Sequence, residues 1–455
     1  MKERKLRGIT LILGDILIFY TGLALTILIR YGRGEFEKWW NLHFFPFSIL
    51  FVIWIMIFMI AGLYDSLSFS GNRQIKDRIM RCMAAAGLIG IIIFYTVPQF
   101  IITPKTTLII NLAIATSLII FWRKFYGVVL ASLAKNRIVF FGLSAETEKL
   151  IELLNETPHL GYEPTSIILP DEYPASRNIS LPVFMFDHNL PNLIRDQKTN
   201  LVVASMDIHN NAAFIKMLYE VLPLGVAYMN FPQFYERITG KIPVSMISEI
   251  WFLENLAETE KTVFEIAKRV FDIVVSLFIG IFAICLAPFI ALAIKFASPG
   301  PIIFSQKRMG KNGKIFELKK FRTMIKDAEK GNALWAEEND ERVTWVGKFL
   351  RKTRLDELPQ LLNVLKGDMS LIGPRPERPE FMEELKEKIP HYMMRLLIRP
   401  GLSGWAQINF SYGASVEDAL EKLQYDLYYI KNRSLGLDLS IALRTLFAII
   451  SRSGR

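Results

Sequence analysis

The sequence predicts a multi-domain α/β membrane protein: a four-helix transmembrane bundle, a Rossmann-like doubly wound domain, and a mostly helical catalytic domain with a re-entrant membrane helix. Three observations predict it. Four apolar stretches, each close to the ~20 residues a spanning helix needs, fill residues 1–125. Short apolar runs alternate with helical patterns over 136–256. A fifth apolar run, over 270–296, opens a segment, 262–455, whose charged clusters are punctuated by glycine and proline.

The four stretches cover residues 8–29, 44–63, 83–102 and 106–122. The start is basic (Lys2, Arg4, Lys5, Arg7), but no small-residue cleavage site follows, so the first stretch reads as an uncleaved helix. Arg73, Lys76, Arg78 and Arg81 lie between the second and third stretches, and Arg123 and Lys124 follow the fourth. The positive-inside tendency puts these three groups, and everything after residue 123, on the cytoplasmic side. Arg30, Arg33 and Lys38 in the first external loop oppose that bias. Asp15 sits inside the first helix, where an acid serves packing or, as a second reading, function.

Composition narrows the partners. Of 455 residues 51% are apolar, and the formal net charge is +10. The basic excess flanks the apolar blocks and fills residues 300–400, which suits orientation and lipid headgroups. No nucleic-acid recognition motif accompanies it, so nucleic acid is not an expected partner. The two cysteines, Cys82 and Cys285, lie in or beside apolar stretches and form no disulfide framework.

The fifth run is long enough to span, yet Lys268 and Arg269 precede it and Lys295, Lys307, Arg308 and Lys311 follow it. Spanning would place one basic cluster outside. Pro288 interrupts the helical hydrogen-bond ladder. The expectation is a helix–break–helix that enters and leaves on the cytoplasmic side.

In the middle segment, 137–141, 166–169, 201–205 and 226–229 read as strands, and 145–155 and 212–221 as helices. The first strand ends in Gly142-Leu143-Ser144. A dinucleotide site wants G-x-G-x-x-G there, and only the first glycine is present, so regulation or oligomerisation fits better than cofactor binding. Residues 234–237 and 242–244 read as a connector to the last domain.

The chemistry sits after Ser305. The first cluster holds Lys307, Arg308, Lys319, Lys320 and Arg322, cations suited to phosphate oxygens or to headgroup anchoring. The second runs from Arg351 through Arg354, Asp356 and Glu357 to Pro359. Pro359 suits the first turn of a helix, so the two acids lie at or just before its N-terminus. They cap that helix, or one attacks phosphorus while the other holds a hard metal through oxygen. The third cluster contains Gly373-Pro374-Arg375-Pro376-Glu377-Arg378-Pro379, whose prolines leave Arg375 and Arg378 little freedom, which is useful for a diphosphate contact or else makes a rigid surface turn with solvated arginines. The fourth holds Arg399, Pro400, Gly401, Gly404 and Trp405, a tight turn beside a core or stacking indole. His43, His159, His188, His209 and His391 lack zinc spacing, so any metal is carboxylate-bound and expected to be Mg2+.

In this order the basic-flanked run with Pro288, KKFRTM, LDELPQLLNVLKGDMSLIGPRPERPEF, RPGLSGWAQI and YDLYYIKNRSLGLDL resemble the bacterial sugar transferase family, the polyprenyl-phosphate phosphoglycosyltransferases. The first two domains resemble the larger members. The resemblance implies that a UDP-sugar and polyprenyl phosphate give polyprenyl-diphosphate-sugar and UMP, the first step of exopolysaccharide, capsule or O-antigen type assembly. Asp356 would form an aspartyl phospho-sugar and Glu357 would bind Mg2+. Arg375 is the first diphosphate contact it implies, then Arg322 and Lys320, with Asp426 as an extra acid. Arg354 departs from the family's small polar residue and adds a cation beside the dyad; Ala287 departs from the polar residue before the membrane proline. Larger members suggest a homodimer. The last apolar stretch, 435–450, suits an interfacial helix, with a core helix as the alternative. A glycosyltransferase releasing UDP and a non-enzymatic scaffold for lipid diphosphates remain as other readings; the absence of an Asp-x-Asp triplet argues against the first.

Overall fold

The structure is a computed structural model that describes residues 2–64, 73–96, 105–133, 136–169, 181–186, 190–205, 212–256, 262–325, 340, 342–410, 413 and 415–450. The chain forms two compact units, Met1–Ile238 and Thr239–Arg455.

The first unit opens with α1 (Lys2–Tyr31), α2 (Phe36–Ile60), α3 (Arg73–Thr96) and α4 (Lys105–Leu133). Each contains a stretch long and apolar enough to cross a membrane. Phe19 and Leu23 of α1 and Phe47, Trp54 and Phe58 of α2 are fully buried between the helices, with the Phe19 ring stacked on Phe51 and edge-on to Trp54. α3 begins ten positions before the third expected stretch, so Arg73, Lys76, Arg78 and Arg81 ride on its first turns instead of a loop. Residues 97–102 of that stretch lie outside the described residues. Asp15 is buried and accepts hydrogen bonds from Arg123 of α4 and from the Tyr64 hydroxyl at 2.9 Å. The packing reading of Asp15 therefore has a physical basis: its charge is matched across two helices.

The same unit continues with β1 (Asn136–Phe141), α5 (Ala145–Glu156), β2 (Tyr162–Leu169), β3 (Val183–Met185), α6 (Leu190–Asp196), β4 (Leu201–Ala204), α7 (Ala212–Val221), β5 (Ala227–Asn230) and α8 (Phe231–Thr239). The sheet order is β3-β2-β1-β4-β5, and every pairing is parallel. Val139, Phe140, Val202 and Val203 are fully buried, as central parallel strands require. β3 and α6 have no counterpart among the sequence expectations; β3 has only three residues and an exposed edge pattern.

The second unit begins with connector residues. Ile242, Val244, Phe252 and Leu256 are buried in the same apolar core as Leu361, Val364, Leu423 and Tyr429, so this segment, with α9 (Glu249–Asn255), is part of the last unit's core.

α10 (Thr262–Ala297) corrects one expectation: it is a single helix with Pro288 inside it, not two helices around a break. Proline removes one ladder bond, but its fixed φ is helical, and Pro288 is exposed, so no packing turns the chain there. One stripe of α10 is docked along its length. Lys268, Asp272, Ser276, Ile290 and Ile294 are buried, and Ile279, Ala283 and Ala287 pack between them at three- and four-residue spacing. The opposite face exposes Leu277, Phe278, Ile281, Phe282, Ile284, Phe289 and Phe296. Both ends of α10 thus rest on one and the same unit.

That unit is completed by β6 (Ile303–Met309), β7 (Ile315–Phe321), α11 (Trp345–Thr353), α12 (Leu361–Lys366), β8 (Ser370–Ile372), α13 (Pro379–Lys388), β9 (Gly401–Ser403), α14 (Trp405–Asn409), α15 (Val416–Asn432) and α16 (Leu435–Ile450). α16 combines the two readings of its sequence. Asp438 and Ile441 are buried, with Asp438 bonded to Lys268 at 2.6 Å, while Leu435, Leu439 and Leu446 stay exposed.

Candidate active site

The site grows from the β6–β7 hairpin and the segment that follows it. The antiparallel register pairs Phe304 with Lys320 and Arg308 with Phe316, so Arg308 and Lys320 project from one face. Beyond β7, the Thr323 carbonyl accepts from the Thr344 amide at 3.0 Å, and Thr344 caps α11 through the Gly347 amide. A Cβ on Gly347 would come within 2.0 Å of the Thr323 oxygen, so only glycine lets α11 start this close. Arg351, late in α11, donates to the Thr323 hydroxyl at 2.9 Å.

α11 ends at Arg354, whose φ of 58° turns the chain left-handed. Asp356 and Glu357 lie just before α12, inside a 3-10 turn, Leu355–Gln360, that leads into it. Asn363 of α12 anchors this piece by donating to the Glu317 carbonyl at 2.7 Å and accepting from the Lys319 amide. Both acids are buried.

Their environments differ. Glu357 Oε1 accepts from Arg375 at 3.0 Å and from Arg354 at 3.5 Å. Burial works against its charge, but Arg375 and Arg354 outweigh it and hold its carboxyl below the usual range. Among the described residues, Asp356 Oδ1 is buried with no hydrogen-bond partner. Burial, then the neighbouring Glu357, push its carboxyl up to about 6, against the pull of Lys320, Arg351 and Arg375. Lys320 is in turn lowered to about 8 by burial and by Arg308 and Arg351. A buried carboxyl oxygen without a partner, set amid cations, is suited to an incoming phosphoryl group.

Of the residues singled out in the sequence, Asp356, Glu357, Lys320, Arg354 and Arg375 are brought together. Four are not, and each has a reason. Arg322 is buried and donates to the Pro299 and Ser298 carbonyls at 2.8 and 2.7 Å, fixing the end of α10. Arg378 stands at the N-cap of α13, 3.7 Å from Glu380 and over the Phe381 ring. Arg399 lines a separate polar cavity with Lys268, Asp272 and Tyr429. Asp426 is fully buried and bonded to Arg395 at 2.8 Å. Trp405 is structural: its indole donates to the Gly240 carbonyl and stacks on Tyr428.

Arg351 and Arg395 have no assigned role from the sequence, and Arg308 reads there only as one cation of a cluster suited to phosphates or headgroups. The hairpin register is a usable signal for Arg308, because it shares a face with Lys320. Arg351 and Arg395 give none, since their neighbours are distant in the chain.

Among the described residues no group of three or more metal-ligating side chains occurs. Mg2+ does not need one: it takes one or two carboxylates and fills the rest with water and substrate phosphates. Glu357, a buried carboxyl held ionised beside Asp356, fits that demand.

The family model described as bacterial sugar transferase matches residues 263–452, and one described as CoA-binding domain matches 59–227. The UDP-N-acetylgalactosamine-undecaprenyl-phosphate N-acetylgalactosaminephosphotransferase of Aeromonas hydrophila is 43% identical over 224 residues, 49% of this chain and 52% of that protein, so the chain spans about half of that relative's length. The UDP-glucose:undecaprenyl-phosphate glucose-1-phosphate transferases of Klebsiella pneumoniae and Escherichia coli are 33% and 34% identical, over 69% of this chain and 67% of each. Relatives of this identity and coverage, together with the family model, mean that the chain belongs to the bacterial sugar transferase family.

Proposed function

We propose that this protein transfers a sugar 1-phosphate from a UDP-sugar to undecaprenyl phosphate, through a covalent phospho-sugar on Asp356, as the first step of a polysaccharide assembly. The observation that carries this reading is the unpartnered, buried Asp356 Oδ1 set among Lys320, Arg351 and Arg375. An oxygen of Asp356 attacks the sugar-linked phosphorus of the UDP-sugar. The bond from that phosphorus to the UMP oxygen breaks, and UMP leaves with the electron pair. An oxygen of undecaprenyl phosphate then attacks the same phosphorus and displaces Asp356, giving the lipid diphosphate sugar.

Arg375 and Lys320 stabilise charge on the phosphoryl oxygens, and Arg354 helps keep Glu357 ionised. Glu357 would hold Mg2+, which would supply charge neutralisation on the diphosphate. The relatives' names carry different sugars, glucose and N-acetylgalactosamine, so the donor is read from assay and not from kinship.

Membrane placement supports the same reading. α10 rests on one unit along its length and exposes an apolar face on the opposite side, so it lies along one side of the bilayer with that face in the lipid and both ends on the same side, which we assign to the cytoplasm. Trp345 and Phe349 on α11, just before the dyad, are exposed as well and suit the headgroup layer. A panel of UDP-sugars with undecaprenyl phosphate tests the function: UMP release supports it, and UDP release would make the enzyme a glycosyltransferase instead.

A further inference from the structure

The loop that carries Arg375 is held by every carbonyl from Pro374 to Glu377. The Pro374 oxygen accepts from the Gly401 amide at 2.8 Å, and the Glu377 oxygen from the Met309 amide at 2.9 Å. The two between them are held by guanidinium groups: Arg395 Nη2 donates to the Arg375 oxygen at 3.1 Å, and Arg308 Nη1 to the Pro376 oxygen at 3.1 Å. The Arg395 guanidinium is fixed in turn. The same Nη2 lies 2.8 Å from Asp426 Oδ2, and Nη1 is 2.7 Å from the Tyr392 hydroxyl. Glu377 sits between the two arginines, 3.7 Å from Arg308 and 3.8 Å from Arg395. Arg395 and Asp426 are buried, whereas the Arg375 side chain is 44% exposed.

We infer that Arg395 is a positioning residue for the transfer: oriented by Asp426, it fixes the peptide of Arg375 so that the Arg375 guanidinium stands where the diphosphate arrives. Asp426 acts through Arg395 and touches no substrate. The planar fork sets the direction: Nη1 on the Tyr392 hydroxyl fixes the plane in which Nη2 meets both the Asp426 carboxylate and the Arg375 carbonyl, and a lysine amine keeps the charge but not that plane. The reason for holding a loop this way is that a displacement of about 1 Å at a phosphate contact costs on the order of 100-fold in rate. A buried ion pair serving only the core would stabilise the fold without favouring one peptide, and the two ideas separate experimentally. The inference rests on Arg375 being a phosphate contact.

The test is a double-mutant cycle on the full-length protein in detergent, with UMP release measured for the UDP-sugar turned over fastest by the unsubstituted protein. Arg395→Lys and, separately, Asp426→Asn are made alone and on Arg375→Ala, with thermal unfolding recorded for each. The expected result is a loss on the order of 10- to 100-fold in kcat for each single variant. On Arg375→Ala the same change costs less than about threefold, because the residue through which it acts is gone. Equal losses on both backgrounds, or no loss on either, would overturn the positioning role and leave the transfer reaction standing. If Arg375→Ala itself left UMP release unchanged, Arg375 would not be a phosphate contact and the inference would fall with it. A variant that unfolds is replaced by the apolar pair Arg395→Met with Asp426→Leu, read against the same two outcomes.

Discussion

Arg375 Nη2 lies 3.0 Å from Glu357 Oε1, which makes the loop arginine and the second acid of the dyad a single electrostatic unit. Each supports the charge of the other, and both border Asp356. Glu357→Gln therefore removes both the oxygen proposed to hold Mg2+ and the partner of Arg375. UMP release is expected to fall by about 100- to 1,000-fold, the loss typical of one preorganised electrostatic group. Arg375→Lys should restore only part of the activity lost in Arg375→Ala, since a lysine lacks the fork; full recovery in a UMP-release assay would show that charge alone suffices.

Asp356 illustrates a site held against its own stability. Its folded carboxyl binds a proton more tightly than the unfolded chain does, at about 6 against 3.8. This group's contribution is therefore fully favourable below pH 3.8 and is lost as pH rises through about 6. Asp356→Asn, which stays neutral, should abolish UMP release and raise stability at pH 7.5 by up to about 3 kcal/mol, because a tenfold change in proton affinity is worth about 1.36 kcal/mol. Thermal unfolding of the metal-free protein measures it; a lowered midpoint with activity lost would mean that Asp356 holds the fold together.

Lys320 offers a second readout of the same field. Its charge draws the Asp356 carboxyl down, so Lys320→Met should move Asp356 ionisation to higher pH. Carboxyl infrared bands of the metal-free protein, compared with Asp356→Asn, report it. An unchanged or lowered midpoint would place Lys320 outside the field of the dyad.

The docked stripe of α10 predicts its topology. Cysteines introduced by Thr262→Cys and Pro299→Cys, with Cys82 and Cys285 replaced, should react with an impermeant maleimide from one side of sealed vesicles. Labelling from opposite sides would mean that α10 spans.

In the bundle, Arg123→Met leaves Asp15 buried with Tyr64 as its one partner among the described residues. It should destabilise by about 3–5 kcal/mol, while the double change Asp15→Leu with Arg123→Met costs much less. Similar unfolding midpoints for the single and double variants would contradict this.

How much of the fold and site is legible in the sequence depends on distance along the chain. Asp356, Glu357 and Arg354 are neighbours in sequence, so local reading brings them together, and the prolines around Arg375 mark a stiff loop. The parallel sheet is legible from alternation, except β3, whose three half-exposed residues carry no pattern. Arg322 and Asp426 read as ligands because charge in a motif says nothing of direction: one faces two carbonyls, the other a buried arginine. Arg395 is invisible for the same reason, since its meaning lies in Asp426 and the Arg375 carbonyl. Pro288 misleads: a proline weakens a helix, and a packed stripe on either side still carries the helix through.

The central claim is that Asp356 carries the sugar phosphate. The direct measurement is mass spectrometry of the peptide containing Asp356 after incubating the protein with UDP-sugar and Mg2+, without undecaprenyl phosphate, and quenching in acid. The expected result is a phospho-sugar adduct on Asp356, formed with one equivalent of UMP and discharged when undecaprenyl phosphate is added. An unmodified Asp356 in a protein that turns over normally, or UMP release that survives Asp356→Asn, would contradict it.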